Sequence, residues 1–197
     1  MKVCVISSTI FPVPLHNYGG LEAVAYHCAK GLAAKGHEVV LVAPDGSECE
    51  GATIVPTGVA GQHDELMAFG GYPEHKEGEV VKRRAHQGYW QILKDADVVV
   101  DHSWNKCSYL LKGEGNLKAP VLGVMHAPIK TMYGSLPPNV EKPCLVCISK
   151  DQANQCREIH DSVGARVCYN GIDLDLYQPM NVPRTNRFLF LARFSSI

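Results

Sequence analysis

The feature that most constrains this chain is a repeated alternation. Short, unbroken apolar runs rich in Val, Ile and Leu are separated by stretches whose apolar residues recur at three- and four-residue steps. "KVCVIS", "HEVVLVAP", "DVVVDHSW", "APVLGVMH", "CLVCIS" and "ARVCYN" are runs of the first kind, with "ATIVP" a shorter one. Apolar residues on both sides of a strand mean that both of its faces are covered, which is the condition of a parallel strand rather than of a half-solvated antiparallel one. Between the first two runs, Leu21, Val24, Ala25, Cys28, Ala29, Leu32 and Ala33 fall on one helical stripe, with Glu22, Tyr26 and Lys30 elsewhere, and Gly36 is placed as the C′ residue that ends that helix. Helices are likewise expected over "EVVKRRAHQGYWQILKDA", briefly around Ser108 to Lys112, and from Lys150 to about His160. Strand, helix, strand in succession implies an α/β fold of the Rossmann-like, doubly wound kind: a mostly parallel sheet with right-handed crossovers and helices on both faces.

At 197 residues there is material for one buried core. Past Asn170 the pattern changes to the turn-rich "GIDLDLYQPMNVPRTN" and then to a fresh apolar run, "RFLFLARF". Residues 1–178 are therefore read as one domain, and 179–197 as a linker with the first strand of a second, truncated domain.

Charge narrows the function. The formal net charge is -1, with 19 Lys and Arg against 20 Asp and Glu, so no basic field is present for a nucleic-acid backbone. No apolar run reaches the roughly 18–20 residues that span a bilayer, and the N-terminal strand lacks a basic leader with a cleavage site; a cytoplasmic protein is expected. Cys4, Cys28, Cys144, Cys147 and Cys168 lie inside apolar patterns, which predicts buried free thiols. The Cys144-x-x-Cys147 pair sits in a strand, where residues three apart face opposite ways, and no second pair completes a zinc set.

Ligands of an open parallel sheet bind beyond the carboxyl ends of its strands, near the point where strand order reverses. Attention therefore falls on Tyr18-Gly19-Gly20, on His102 and Trp104, on His126, on Ser149, and on Asn170-Gly171. Gly19 and Gly20 directly precede a helix. They either permit a tight entry into it or let an anion approach its open amides, where the helix dipole favours negative charge. His126 ends a central strand and is read as facing the cleft, as a ligand contact or a hydrogen-bonded structural residue. Trp104 could stack on a sugar ring or cap the core. No G-x-G-x-x-G follows the first strand, and Asp45 alone is weak support, which counts against nicotinamide-dinucleotide binding. His16, His63, His75 and His86 show no convergent pattern and are read as solvated.

These residues resemble a known family. "YGGLEAVAYHCAKGLAAKGHEVVLVAP" is similar to the opening of group 1 (family 4) retaining glycosyltransferases, which carry Gly-Gly-x-Glu, an amphipathic helix, Gly-His-Glu-Val and a second strand. "DADVVVDHSW", "APVLGVMHAP", "CLVCISKDQANQ", "YNGIDLDLYQP" and "RFLFLARFSSI" follow in the family's order. The resemblance implies the N-terminal, acceptor-side domain of a GT-B fold, in which two Rossmann-like domains face each other across a cleft. It implies that Gly19, Gly20 and Arg193 approach the diphosphate of a nucleotide-sugar donor and that His126 contacts the transferred hexose near the reacting carbon. Asn17, Tyr18, His102, Trp104, Ser149 and Asn170 are the expected sugar or acceptor contacts. It further implies no resident cofactor and no metal. The UDP-, GDP- or ADP-linked donor is a substrate, and the partners are a sugar, small-molecule or lipid-linked acceptor, the last with peripheral membrane contact, together with the chain's own C-terminal domain. The paired glutamates and the lysine of that domain lie beyond Ile197, so the isolated chain is expected to be inactive, and residues 61–90 match no family pattern. Two rivals remain: a stand-alone, non-catalytic sugar- or nucleotide-binding module, and a dinucleotide-dependent oxidoreductase.

Overall fold

A computed structural model describes residues 1–8, 11–15, 19–60, 93–103, 108, 117–128, 144–159, 164–183 and 185–188. Within them the elements run β1 (Lys2–Ile6), α1 (Gly20–Ala34), β2 (Glu38–Asp45), β3 (Ala52–Ala60), β4 (Val98–Asp101), β5 (Val121–Met125), β6 (Cys144–Cys147), α2 (Lys150–Ile159) and β7 (Arg166–Val167). The expected helices at 79–96 and 108–112, and the strand "RFLFLARF", lie wholly or mostly outside the described residues.

All seven strands join one sheet in the order β3-β2-β1-β4-β5-β6-β7, and every pairing is parallel. The side-chain alternation of β1 shows why its run has to be unbroken. Val3 and Val5 face one layer with Val39, Leu41, Ala25 and Ala29, so α1 covers that side. Cys4 and Ile6 face the other, with Val99, Met125, Leu145, Ala153 and Cys156, so α2 covers that one. Each Val, Leu, Ile or Met side chain taken from water into either layer contributes about 1.5–3 kcal/mol. Ala25 and Ala29 are small enough to bring the α1 backbone close to the sheet. The doubly wound fold expected from the sequence is the fold observed.

Helix α1 ends as its glycine predicts. The Gly36 amide donates to the Ala33 carbonyl at 2.9 Å and the His37 amide to the Leu32 carbonyl at 3.2 Å, with Gly36 at φ 82°, a Schellman closure. Two details differ from the sequence reading. Strand β3 continues past Pro56 to Ala60, because β3 lies at the sheet edge and a proline there need not donate to a second neighbour. Glu22, placed off the apolar stripe, is buried, and Tyr26 packs against the α1 layer.

The described cysteines are all free, but only Cys4, Cys147 and Cys156 are buried; Cys28 is half-buried, and Cys144 and Cys168 are exposed. That corrects the expectation of burial. Cys144 opens β6 and Cys168 follows the two-residue edge strand β7, and an apolar pattern does not tell an edge from a centre. Cys144 and Cys147 do face oppositely, exposed and buried.

Candidate functional site at the strand-order reversal

From β1 the chain winds outward through β2 and β3, then returns to place β4 on the other side of β1. Order therefore reverses between β1 and β4, and the residues after those two strands flank the crevice where such sheets bind ligands.

On the β1 side, Val13 N donates to Ser47 Oγ at 3.0 Å and Glu48 N to the Val13 carbonyl at 2.6 Å. These bonds pin the loop that leads into α1 against the β2–β3 turn. Gly19 is the N-cap of α1 at φ 141°, with no side chain to offer the helix. A Cβ on it would stand 2.6 Å from Glu22 Oε2 and 2.7 Å from Leu15 Cδ2, whereas a Cβ on Gly20 would meet nothing within 4 Å. The first glycine is thus demanded by backbone and packing, and the second borders open space. Glu22, 3% exposed, has its carboxyl pushed above the ordinary range by burial, against hydrogen bonds with the Ser8 hydroxyl and its own amide that favour the charged form.

On the β4 side, Asp101 is fully buried and organises the turn. Its Oδ1 accepts from Ser103 N at 2.8 Å and from Ser103 Oγ at 2.6 Å, and its Oδ2 accepts from Ser108 Oγ. His102 N donates to the Ile6 carbonyl at 2.9 Å, which fastens His102 to the end of β1. Its ring meets that of His126, the residue after β5, with Nδ1 and Nε2 2.9 Å apart. His102 is 2% exposed, while His126 is half-buried.

The next strand end is tied in as well. Ser149 caps α2, its Oγ accepting from Gln152 N at 3.1 Å. The Gln152 side chain then works both ways: Oε1 accepts from Ile148 N at 2.8 Å, and Nε2 donates to the carbonyl of Ala127, beside His126, at 3.0 Å.

Of the residues singled out from the sequence, Gly19, Gly20, His102, His126 and Ser149 stand along this one carboxyl edge, and the two histidines touch. Asn170 is exposed beyond β7, two strands from β5. Asn17, Tyr18, Trp104 and Arg193 lie outside the described residues. Sequence reading missed Asp101, Glu22 and Gln152. Asp101 stands in plain view as a carboxylate ending a buried strand, and Ser149-x-x-Gln152 has the spacing of a capping box; burial of Glu22 left no local trace. Among the described residues, no group of three or more His, Cys, Asp and Glu side chains could hold a metal ion, and no helix is long and apolar enough to cross a membrane.

Residues 18–176 match the family described as Glycosyltransferase Family 4. The chain belongs to that family. Solved structures of similar fold include sucrose-phosphate synthase from Thermosynechococcus elongatus, at 12% identity and TM-score 0.68, over 91% of this chain and 50% of that one. The catalytic domain of Arabidopsis thaliana starch synthase IV bound to ADP and acarbose aligns at 15% identity and TM-score 0.56, over 88% of this chain and 52% of that one. Anabaena HepE in complex with UDP and glucose aligns at 12% identity and TM-score 0.54, over 92% and 47%. This family member thus spans about half the length of these structures. No curated protein sequence matches it.

Proposed function

We propose that this chain is the acceptor-side half of a retaining hexosyltransferase that moves a hexose from a UDP-, GDP- or ADP-linked donor to an acceptor hydroxyl, without a metal. The observation that carries the reading is the half-buried His126 ring, held 2.9 Å from His102 on the same edge where Gly20 opens α1 onto free space. Membership of the family and the nucleotides in the names of the similar structures support a nucleotide sugar as the ligand.

Departure of a nucleoside diphosphate leaves an oxocarbenium-like sugar, so the site has to stabilise negative charge on the leaving phosphates and hold an acceptor hydroxyl in line. The first turn of α1, where the Glu22 amide is already taken by its own carboxyl, supplies oriented N–H groups and the positive end of a helix dipole. Arg193 and a second domain supply the remaining positive charge. His126 presents its half-buried ring to the hexose at the reacting end, with the buried His102 behind it.

The test is sugar transfer from UDP-, GDP- and ADP-hexoses by the protein carrying both domains. His126→Ala is expected to lower kcat by about 10²–10⁴-fold while leaving the melting temperature nearly unchanged. Unaltered rate constants would remove His126 from the chemistry, and turnover by the isolated 197-residue chain would contradict the two-domain reading.

A further inference from the structure

We infer that Cys147 and Cys156 form a redox-modification site: a disulfide made between them staples α2 to β6 and is removed again by a thiol. The inference is independent of the transferase reading and adds to it.

Sequence alone draws the eye to Cys144-x-x-Cys147, but those two residues face opposite ways, one exposed and one buried. The partner that folding gives Cys147 is Cys156, nine residues on, with the two Sγ atoms 3.6 Å apart. Both thiols are free, and both residues are fully buried. A disulfide is about 2 Å long, so sulfurs already in contact have about 1.5 Å left to close.

The two sulfurs sit on unequal supports. Cys147 is the last residue of β6, in register with Met125 of β5 on one side and Val167 of β7 on the other, and its carbonyl accepts from Cys168 N at 2.9 Å. Cys156 rides on a helix of 10 residues. Isolated helices shorter than about 12–15 residues are marginal in water, so α2 depends on what it buries. Among its described side chains only Ala153 and Cys156 are buried, while Asp151, Asn154, Gln155, Arg157 and Glu158 are exposed. So small an apolar contact places the opening of α2 well below that of the central strands in free energy. While α2 is closed the pair is protected, because burial raises both thiols, that of Cys156 to about 12, and only a thiolate attacks. Each opening of α2 admits water and a reagent.

The chemistry takes a small disulfide as oxidant, of which oxidised glutathione is the probe. One protein thiolate attacks a sulfur of that reagent, breaking its S–S bond and releasing a thiolate. The second protein thiolate then attacks the protein-side sulfur of the mixed disulfide and releases the other half. The protein pair loses two electrons, the reagent gains them, and the two thiol protons end on the two released thiols. A covalent bond thereby reinforces a thin apolar contact. It does so at the helix whose first turn holds Gln152, the residue that fixes the Ala127 carbonyl beside His126.

The test uses the 197-residue chain bearing Cys144→Ser, so that Cys147 is the sole cysteine of its tryptic peptide. The chain is held for hours with excess oxidised glutathione at about pH 8, near the ordinary cysteine pKa of about 8.5, then quenched, alkylated and mapped by mass spectrometry. The expected result is a Cys147–Cys156 bond, formed without denaturant, long after exposed Cys168 has reacted, and reversed by dithiothreitol. In the oxidised chain, amide exchange across α2 slows by about 10–100-fold and Tm rises by about 5–10 °C. Cys156→Ala keeps a small buried side chain and loses both changes. Bonds from either residue only to some other cysteine, a bond that forms only in denaturant, or α2 exchange unmoved by the bond overturns the inference; the cross-link stands as its test even if Cys156→Ala does not fold. No nucleotide sugar is present in any arm, so a failed cross-link leaves the transferase proposal standing, and failed sugar transfer leaves the cross-link standing.

Discussion

Two adjacent glycines, alike in sequence, should respond oppositely to one methyl group. In Gly19→Ala the new residue is forced to φ 141°, a region that costs a residue with a side chain about 1–3 kcal/mol. Its Cβ also meets Glu22 Oε2 at 2.6 Å and the two Leu15 methyls at 2.7 and 2.9 Å. Overpacking costs about 1–3 kcal/mol, and the atoms met here are the ends of flexible side chains, which puts the contact part low in that range. The total comes to about 2–4 kcal/mol, or a fall of about 5–15 °C in Tm for a chain of this size. Gly20 differs because a Cβ there meets nothing within 4 Å and the residue is already helical. Gly20→Ala should stabilise by about 0.4–1 kcal/mol through the narrowed unfolded ensemble. Urea titrations followed by circular dichroism read both numbers. If a ligand phosphate closes on the same open backbone, the Gly20→Ala methyl occupies its approach, and kcat/KM of the proposed two-domain transferase should fall about 10–100-fold in a variant that is more stable than the wild type. Equal losses of stability at the two positions, or a Gly19→Ala within about 0.5 kcal/mol of the wild type, would refute the assignment of the first glycine to the fold and the second to the ligand.

Other outcomes follow from the buried polar groups and the thiols. The Glu22 carboxyl is raised above its ordinary value of 4.5, so as pH climbs from there toward the raised value the unfolded chain gives up its proton first and the folded state loses stability. Glu22→Gln should therefore gain on the wild type through that window, in denaturation run as a pH series; a widening loss would show that the helix amides hold Glu22 as a carboxylate. Asp101→Ala leaves Ser103 N, Ser103 Oγ and Ser108 Oγ without their acceptor, and should cost about 3–5 kcal/mol in the same assay. An aromatic disulfide reagent should label exposed Cys144 and Cys168 in the native chain and spare Cys4, Cys147 and Cys156. Burial pushes the thiols of Cys4 and Cys156 up to about 12, and rapid native labelling of either would contradict the packing described for it.

The local rules were enough for much of this molecule. Unbroken apolar runs imply strands covered on both faces, the three-and-four spacing from Leu21 to Ala33 implies the helix, and Gly36 marks its end, because each depends on neighbours a few residues away in the chain. The carboxyl edge was legible for the same reason: once the strands are parallel, Gly19, Gly20, His102, His126 and Ser149 must share it. What the order of residues does not carry is which strand ends adjoin and which side chains lose their water. Only the return of β4 to lie beside β1 brings His102 against the Ile6 carbonyl and, with β5 next to it, against the His126 ring. Only the tertiary packing that brings Ser8, after β1, within hydrogen-bond reach of α1 buries Glu22 and raises its carboxyl, and only the edge positions of β3 and β7 let one proline remain in a strand and one cysteine reach solvent. Contacts between residues far apart in sequence depend on how the layers close, and their chemistry is decided there.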